Sequence, residues 1–228
     1  MVERTTVNRV VAGSSPARSA IFLFFVKSIE KIKGILMKKR LVAGLLGLSL
    51  ASFGAESLEL GLLSPTQLRG PQTSVKGVRL GLIYTENQNV EGLDVNIIAN
   101  KKQNFKGLSI GSFYDRTEGN FEGAKLGWFF LPLTFNSVGG NMTGVQFGLI
   151  NMVEHNTKGV QVGGANFTGT GTGVQFGLFN KADQIKGLQF GFVNMAENLQ
   201  GLQIGLVNMA DNSEIFEVLP ILNFNFRF

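Results

Sequence analysis

One short unit recurs along the second half of the chain and constrains the fold more than any other feature. The pattern Gly-apolar-Gln-apolar-Gly-apolar-x-Asn occurs five times. Its copies start at Gly144, Gly159, Gly173, Gly187 and Gly201, and looser copies start at Gly77, Gly92, Gly107 and Gly123. Tandem units of this length are the signature of a repeat architecture. No linker interrupts them, so we predict that residues 56–228 form a single repeat-built β domain.

Each unit alternates between apolar and polar residues. In the unit that starts at Gly144, Val145, Phe147 and Leu149 are apolar, and Gln146 lies between the first two. A period of two residues, with many β-branched and aromatic side chains, predicts a strand with one apolar and one polar face. The central polar position is kept in all nine copies, as Arg79, Asp94, Ser109, Lys125, Gln146, Gln161, Gln175, Gln189 and Gln203.

The alternation fits two all-β arrangements. We favour an antiparallel meander that closes into an outer-membrane-type β-barrel of about 10–12 short strands, with apolar side chains toward lipid. The alternative is a β-solenoid of stacked repeats, with apolar residues inside and the Gly/Gln face exposed for binding. A solenoid would align Asp183, Glu197 and Asp211 in a row of like charges, which disfavours it unless a cation such as calcium bridges them.

The second half of each unit is predicted to lead into a turn. The closing asparagine suits that place because its side chain hydrogen-bonds local backbone and tolerates left-handed conformations. These residues are Asn151, Asn166, Asn180, Asn194 and Asn208. Residues 131–143 interrupt the repeats and are expected to form an extra strand or a surface loop.

The last residues alternate without a fault and end on an aromatic side chain. Phe224, Phe226 and Phe228 fall on one face, with Asn and Arg residues on the other. A final amphipathic strand that ends in Phe resembles the assembly signal of outer-membrane β-barrels. The resemblance implies outer-membrane lipid and the barrel assembly machinery as partners.

The net charge of +5 belongs to the first part of the chain. Residues 1–55 contain nine Lys/Arg and two Asp/Glu, and the remainder has a balance of −2, which argues against a nucleic-acid partner. Residues 37–55 join a basic start, an apolar stretch and small residues, as in a secretory signal peptide. Residues 1–36 resemble the translation of non-coding sequence and are expected to be a mis-annotated upstream extension.

The residue inventory disfavours catalysis. Cysteine is absent and His155 is the single histidine, in a predicted turn beside Glu154. General acid–base catalysis by a histidine, or a histidine-based zinc site, needs partner residues that the sequence lacks. We therefore predict no enzyme activity, no catalytic or metal residues and no cofactor.

The repeat block resembles the bacterial surface-repeat family, whose members carry tandem Gly-x-Gln-x-Gly-Leu-x-Asn units behind a signal peptide. The resemblance is specific from Gly144 to Asn212 and weaker from Gly77 to Gly123. It implies export to the outer membrane or cell surface. The favoured function is a structural, porin-like or surface-interaction protein, and the alternative is a soluble periplasmic or cell-surface binding module that uses its Gly/Gln face.

Overall fold

The computed structural model describes residues 58–127, 133–213 and 216–226, and these form one mostly parallel sheet. The upstream extension, the predicted signal peptide and Phe228 lie outside the described residues. The strands are β1 (Leu58–Leu63), β2 (Thr66–Gln67), β3 (Val75–Asn87), β4 (Val90–Lys101), β5 (Phe105–Thr117), β6 (Phe121–Gly127), β7 (Phe135–Val138), β8 (Met142–Phe190), β9 (Val193–Ala210) and β10 (Val218–Asn225).

Successive repeats stack in parallel and in register. Gly77 pairs with Gly92, and the same pairing continues through Gly107, Gly123 and Gly144. The fold is thus a β-solenoid of about eight turns, each made by one repeat. The expected antiparallel barrel is wrong, because the chain coils in one direction and places each residue beside its equivalent in the next repeat.

The 49-residue β8 is a wound segment of the solenoid and not a straight strand. Within it, the side chains of Gln146 and Gln161 are hydrogen-bonded, and so are those of Asn151 and Asn166. Both pairs are fifteen residues apart, which is one turn of the coil.

Each turn has two sides joined by two corners. In the turn that starts at Gly187, the first side runs to Phe190, and the first corner follows at Gly191 and Phe192. The second side contains the buried Asn194 and Ala196, and the second corner carries the exposed Glu197 and Asn198. Two consecutive outward side chains mark each corner, because a corner breaks the alternation of a flat strand.

The first glycine of each repeat is required by the backbone. Gly173 and Gly187 have φ values of 138° and 143°, a region that side-chain-bearing residues rarely adopt. A Cβ added at Gly187 would collide with the carbonyl oxygen of Gly173 in the preceding turn. These glycines therefore permit the close stacking of turns.

Both ends of the solenoid finish in antiparallel pairs. At one end β2 turns back on β1, and at the other β10 runs antiparallel to β9. The β9–β10 register shifts between Leu219 and Ile221, where Ile221 has a φ of 71°. Phe224 on β10 and Phe226, which follows the strand, are exposed, and β10 closes the stack and not a barrel.

The interruption at residues 131–143 contains an extra strand, as one of the two expectations had it. β7 lies between β5 and β8 and pairs in parallel with both. It supplies the second side of the turn that begins with β6. The insertion therefore leaves the stacking of the neighbouring turns intact.

Candidate functional site

The conserved spacing of the glutamines produces a buried ladder, which we call the glutamine column (Gln146, Gln161, Gln175, Gln189 and Gln203). Neighbouring amides are joined by hydrogen bonds of 2.7–3.1 Å. Gln189 also donates to the carbonyl of Met195 on the opposite side of its own turn, at 3.2 Å. Gln161, Gln175 and Gln203 make the equivalent bond, so four of the five glutamines link one turn to the next and one side of the turn to the other.

A second ladder, the asparagine column, runs beneath the first corner (Asn136, Asn151, Asn166, Asn180, Asn194 and Asn208). The Nδ2 of each donates to the Oδ1 of the next at 2.8 Å. Asn180 also donates to the carbonyl of Phe190 at the corner of the following turn, at 3.0 Å. The asparagines thus hold successive corners together, and in the column Asn208 also donates to nearby backbone, the Gly205 carbonyl, at 3.0 Å.

Both predicted sets of polar residues are interior. The glutamine column and the predicted asparagines are at most 2% exposed. The sequence-based alternative of an exposed Gly/Gln binding face is therefore wrong in its choice of face. Within the two columns, all side-chain amides except the Nε2 of Gln146 donate hydrogen bonds inside the protein, so these buried polar residues stabilise the fold.

In the first turns an ion network replaces the glutamines. Arg79 Nη2 lies 2.6 Å from Asp94 Oδ2, and Lys101 Nζ lies 2.7 Å from the same oxygen. Lys101 and Lys125 also contact Asp115 Oδ1, at 2.7 and 2.8 Å. All five side chains are at most 1% exposed.

Burial and charge pairing in this network shift the pKa values of three of its members. Asp94 is fully buried, and although desolvation alone would raise its pKa, Arg79 and Lys101 lower the value to about 2. The pKa of Asp115 is lowered as well, because Lys101 and Lys125 outweigh desolvation. Desolvation lowers the pKa of Lys125 to about 8 despite its carboxylate partner. With no solvent access, these charges hold the turns together and offer no site for substrate.

The exposed apolar residues gather at the first corner of each turn. We call this surface the apolar corner; it comprises the outward side chains three, five and six residues after the first glycine. Its members include Leu80, Leu82, Ile83, Ile97, Phe113, Leu126, Phe147, Phe176, Leu178, Phe190, Phe192, Leu206 and Val207, all exposed. A contiguous apolar surface of this extent marks an interaction site.

The charged side chains in the second half of the chain lie outside the apolar corner. Between Gly144 and Asn212, three lysines project from the flat sides between the two corners, and we call them the lysine rim: Lys158, Lys181 and Lys186. Four carboxylates lie on the opposite corner, the acidic corner: Glu154, Asp183, Glu197 and Asp211. All seven side chains are exposed. The predicted row of acids is thus real, but water screens its repulsion.

The remaining candidate features do not build a catalytic or metal site. His155 is exposed, and its Nδ1 lies 2.6 Å from the carbonyl oxygen of Gly139. Among residues 58–127, 133–213 and 216–226, no three His, Cys, Asp or Glu side chains cluster as metal ligands would.

The comparisons with known proteins assign no relative. No family model, curated protein or solved structure matches the chain. In the part of the chain that the structure describes, no helix is long and apolar enough to cross a membrane.

The repeat pattern did not predict the ion network or the lysine rim, because several of their residues have no fixed place in the repeat. The opposite charges of Arg79 and Asp94 in consecutive repeats were a signal for their pairing, whereas Lys101 and Asp115 lie outside the aligned pattern. The lysine rim has no fixed place in the repeat: Lys158 and Lys186 precede the first glycine, and Lys181 follows an asparagine.

Proposed function

We propose that this protein is an exported β-solenoid that binds the surface of a lipid membrane through its apolar corner. The observation that carries the proposal is the inversion of the repeat. Columns of amides occupy the interior beside two buried apolar clusters, while large apolar side chains such as Phe176, Leu178 and Phe192 are half or more exposed. A non-catalytic binding module is the function that best uses this arrangement.

The shape of the apolar corner suits insertion into a bilayer. The parallel ladders shift register at this corner, but backbone hydrogen bonds still join neighbouring turns there: Phe192 N–H donates to the Leu178 carbonyl at 3.0 Å, and Val207 N–H donates to the Phe192 carbonyl at 2.9 Å. Such bonds lower the cost of insertion, because an unpaired amide in hydrocarbon costs several kcal/mol. From Val174 to Leu178 the first side and the corner span four residue intervals, at most about 13 Å, close to one leaflet of a hydrocarbon core about 30 Å thick.

The charge pattern gives the orientation. The lysine rim lies between the apolar corner and the acidic corner, so its long side chains can extend toward lipid headgroups, and anionic lipids attract them. The acidic corner lies on the far side of the turn, where it would face water. In the first half of the chain the equivalent rim alternates in sign, as with Lys106 and Glu122, which are 3.2 Å apart. The second half should therefore bind anionic membranes more strongly.

The sequence supports a cellular setting for this activity. The predicted signal peptide and the resemblance to the bacterial surface-repeat family favour export, with outer-membrane lipid as the partner. The periplasm is the alternative location. A protein held at a membrane surface by its apolar corner presents its acidic corner to other molecules.

Vesicle flotation tests the proposal directly. The protein is purified after export from the cells that express it. It should float with phosphatidylcholine vesicles, and the floated fraction should increase when phosphatidylglycerol is added. Phe147→Asp should reduce flotation at least tenfold, because it places a charge on the apolar corner. Thr170→Asp adds the same charge at the opposite corner of the coil and should have little effect.

The contrary result is equally clear. A folded full chain that stays with the soluble fraction, at low salt and with anionic vesicles, would contradict membrane binding. Equal loss of flotation in Phe147→Asp and Thr170→Asp would contradict the choice of the apolar corner.

A further inference from the structure

The apolar corner contains an open groove in the last three full turns. Its walls are two rows of apolar side chains, and its floor is a row of glycines. The rows are Phe176, Phe190 and Ile204 on one side, Leu178, Phe192 and Leu206 on the other, and Gly163, Gly177, Gly191 and Gly205 below. The groove encloses about 450 Å³.

Resting on the proposed membrane function, we propose that this groove binds one acyl chain of a membrane phospholipid, laid along the solenoid axis. The groove runs from Gly163 to Ile221, which pairs with Gly205. Four intervals of about 4.8 Å give roughly 19 Å, enough for a chain that spans one leaflet of about 15 Å.

The floor and walls favour hydrocarbon over peptide. The glycine amides are engaged between turns: the Gly191 N–H donates to the Ile204 carbonyl at 3.0 Å. A peptide in the groove would find no hydrogen-bonding partners and would leave its own amides unsatisfied. An acyl chain has no such groups. It would contact the rings of Phe176 and Phe190, which stack 5.1 Å apart and within 2° of parallel.

Both ends of the groove are closed by specific side chains. At the first end, Gly164 takes the place of a wall residue, and Leu149 Cδ1 would lie 2.8 Å from a Cβ added there. At the other end stands Ile221, 73% exposed and held at a φ of 71°. A β-branched residue in this region is strained, and such strain often accompanies a functional position.

The lysine rim supplies complementarity to the rest of the lipid. Lys181 lies on the turn that carries Phe176 and Leu178, and Lys186 leads into the turn that carries Phe190 and Phe192. A phosphate headgroup can reach a cation near the groove while its chain remains in it. A similar groove at the other end of the solenoid, about 700 Å³, has Thr66 and Gln67 in its wall and suits hydrocarbon less well.

Lipid counting by native mass spectrometry tests the proposal. The full chain is bound to phosphatidylcholine and phosphatidylglycerol vesicles and released in mild detergent. It should retain one phospholipid per protein. Leu178→Asp should lower the retained fraction at least tenfold, whereas Leu82→Asp, five residues after Gly77 as Leu178 is after Gly173, should retain the lipid.

Ile221→Gly provides a variant that need not destabilise the fold. Because glycine adopts this φ without strain, the change to the backbone should not lower the free energy of unfolding. Removing the side chain opens the groove end and should speed lipid exchange severalfold. Unchanged exchange would contradict the role of Ile221 and hence the groove.

Failure of this proposal is distinguishable from failure of membrane binding. Wild-type protein that floats with vesicles but retains no phospholipid would overturn the groove and leave the proposed function standing. Wild-type protein that does not float with vesicles would overturn both the groove and the membrane proposal. Equal retention by the two Asp variants, or retention of free fatty acid in place of phospholipid, would overturn the assigned site or ligand.

Discussion

Arg79 and Asp94 form a bidentate ion pair in the interior of the solenoid, although they are fifteen residues apart in the chain. Arg79 Nε lies 2.8 Å from Asp94 Oδ1, and Nη2 lies 2.6 Å from Oδ2. Both side chains are completely buried. Because they occupy the same place in consecutive repeats, their pairing helps to fix which turn lies beside which.

Asp94→Asn should strongly destabilise the first turns. It leaves the cations of Arg79 and Lys101 with one fewer carboxylate in a buried site, and such a change costs about 3–5 kcal/mol. Urea unfolding measures the difference. Glu122→Gln is the control, because its pair with Lys106 is about 60% exposed and should contribute less than about 1 kcal/mol. Equal effects would show that the buried network does not stabilise the fold.

The same network predicts loss of stability in acid. The pKa of Asp94 is about 2 in the folded protein and 3.8 in its ordinary state. A carboxyl whose pKa is lowered by folding contributes stability above its ordinary pKa and loses it as pH falls. The free energy of unfolding should therefore decline between about pH 4 and pH 2. The decline should be smaller in Asp94→Asn, and an identical profile would contradict the assignment.

Lys125 predicts a second rise of stability with pH, on the alkaline side. Folding lowers its pKa from 10.5 to about 8, so the unfolded chain binds more protons in that interval. Stability should then rise with pH by up to about 1.4 kcal/mol per unit. The raised pKa of Tyr84, about 12, reverses the sign above its ordinary value of 10.0, so measurements belong between pH 8 and pH 10. Lys125→Met should abolish the rise.

The strands were predictable from the sequence, but their direction of pairing was interpreted wrongly. Alternation around Gln146 gives the two faces of a strand in either arrangement. The decisive signal was the identity of the polar residue: amides such as Gln175 and Gln189 bond best to their own kind in an in-register parallel stack. An antiparallel meander would not align them. The like-charge argument from Asp183 and Glu197 was weaker, because exposed charges are screened.

The groove and its closure were beyond sequence reasoning for another reason. Both depend on corners, where consecutive side chains such as Phe192 and Val193 face outward and alternation no longer tells inside from outside. The left-handed backbone of Ile221 has no sequence signature, since isoleucine rarely adopts it. It follows from the register shift of β10 against β9.

Asn180→Leu should show the strength of the asparagine column. The substitution keeps a similar volume but removes bonds to the Asn166 and Asn194 side chains and to the Phe190 carbonyl. Each buried group left unpaired costs about 1–3 kcal/mol. Asn156→Leu is the control: Asn156 donates to Asn141 Oδ1 at 2.8 Å, but it is exposed, and water can replace the bond. Thermal unfolding of both variants should separate them by several degrees, and equal melting temperatures would contradict a structural role for the ladder.

Gly187→Ala tests whether stacking requires the first glycine of the repeat. At a φ of 143° a Cβ is strained, and it would also meet the carbonyl oxygen of Gly173, which belongs to rigid backbone. Strain of this kind costs about 1–3 kcal/mol before the collision is counted. Gly70→Ala is the matched control, because a Cβ there would have no heavy atom within 4 Å.

Amide hydrogen exchange should show faster opening around Gly173 and Gly187 in Gly187→Ala only. Since each turn contacts its neighbours alone, protection near Gly92 should change least. Uniform loss of protection would instead show that the solenoid unfolds as one unit.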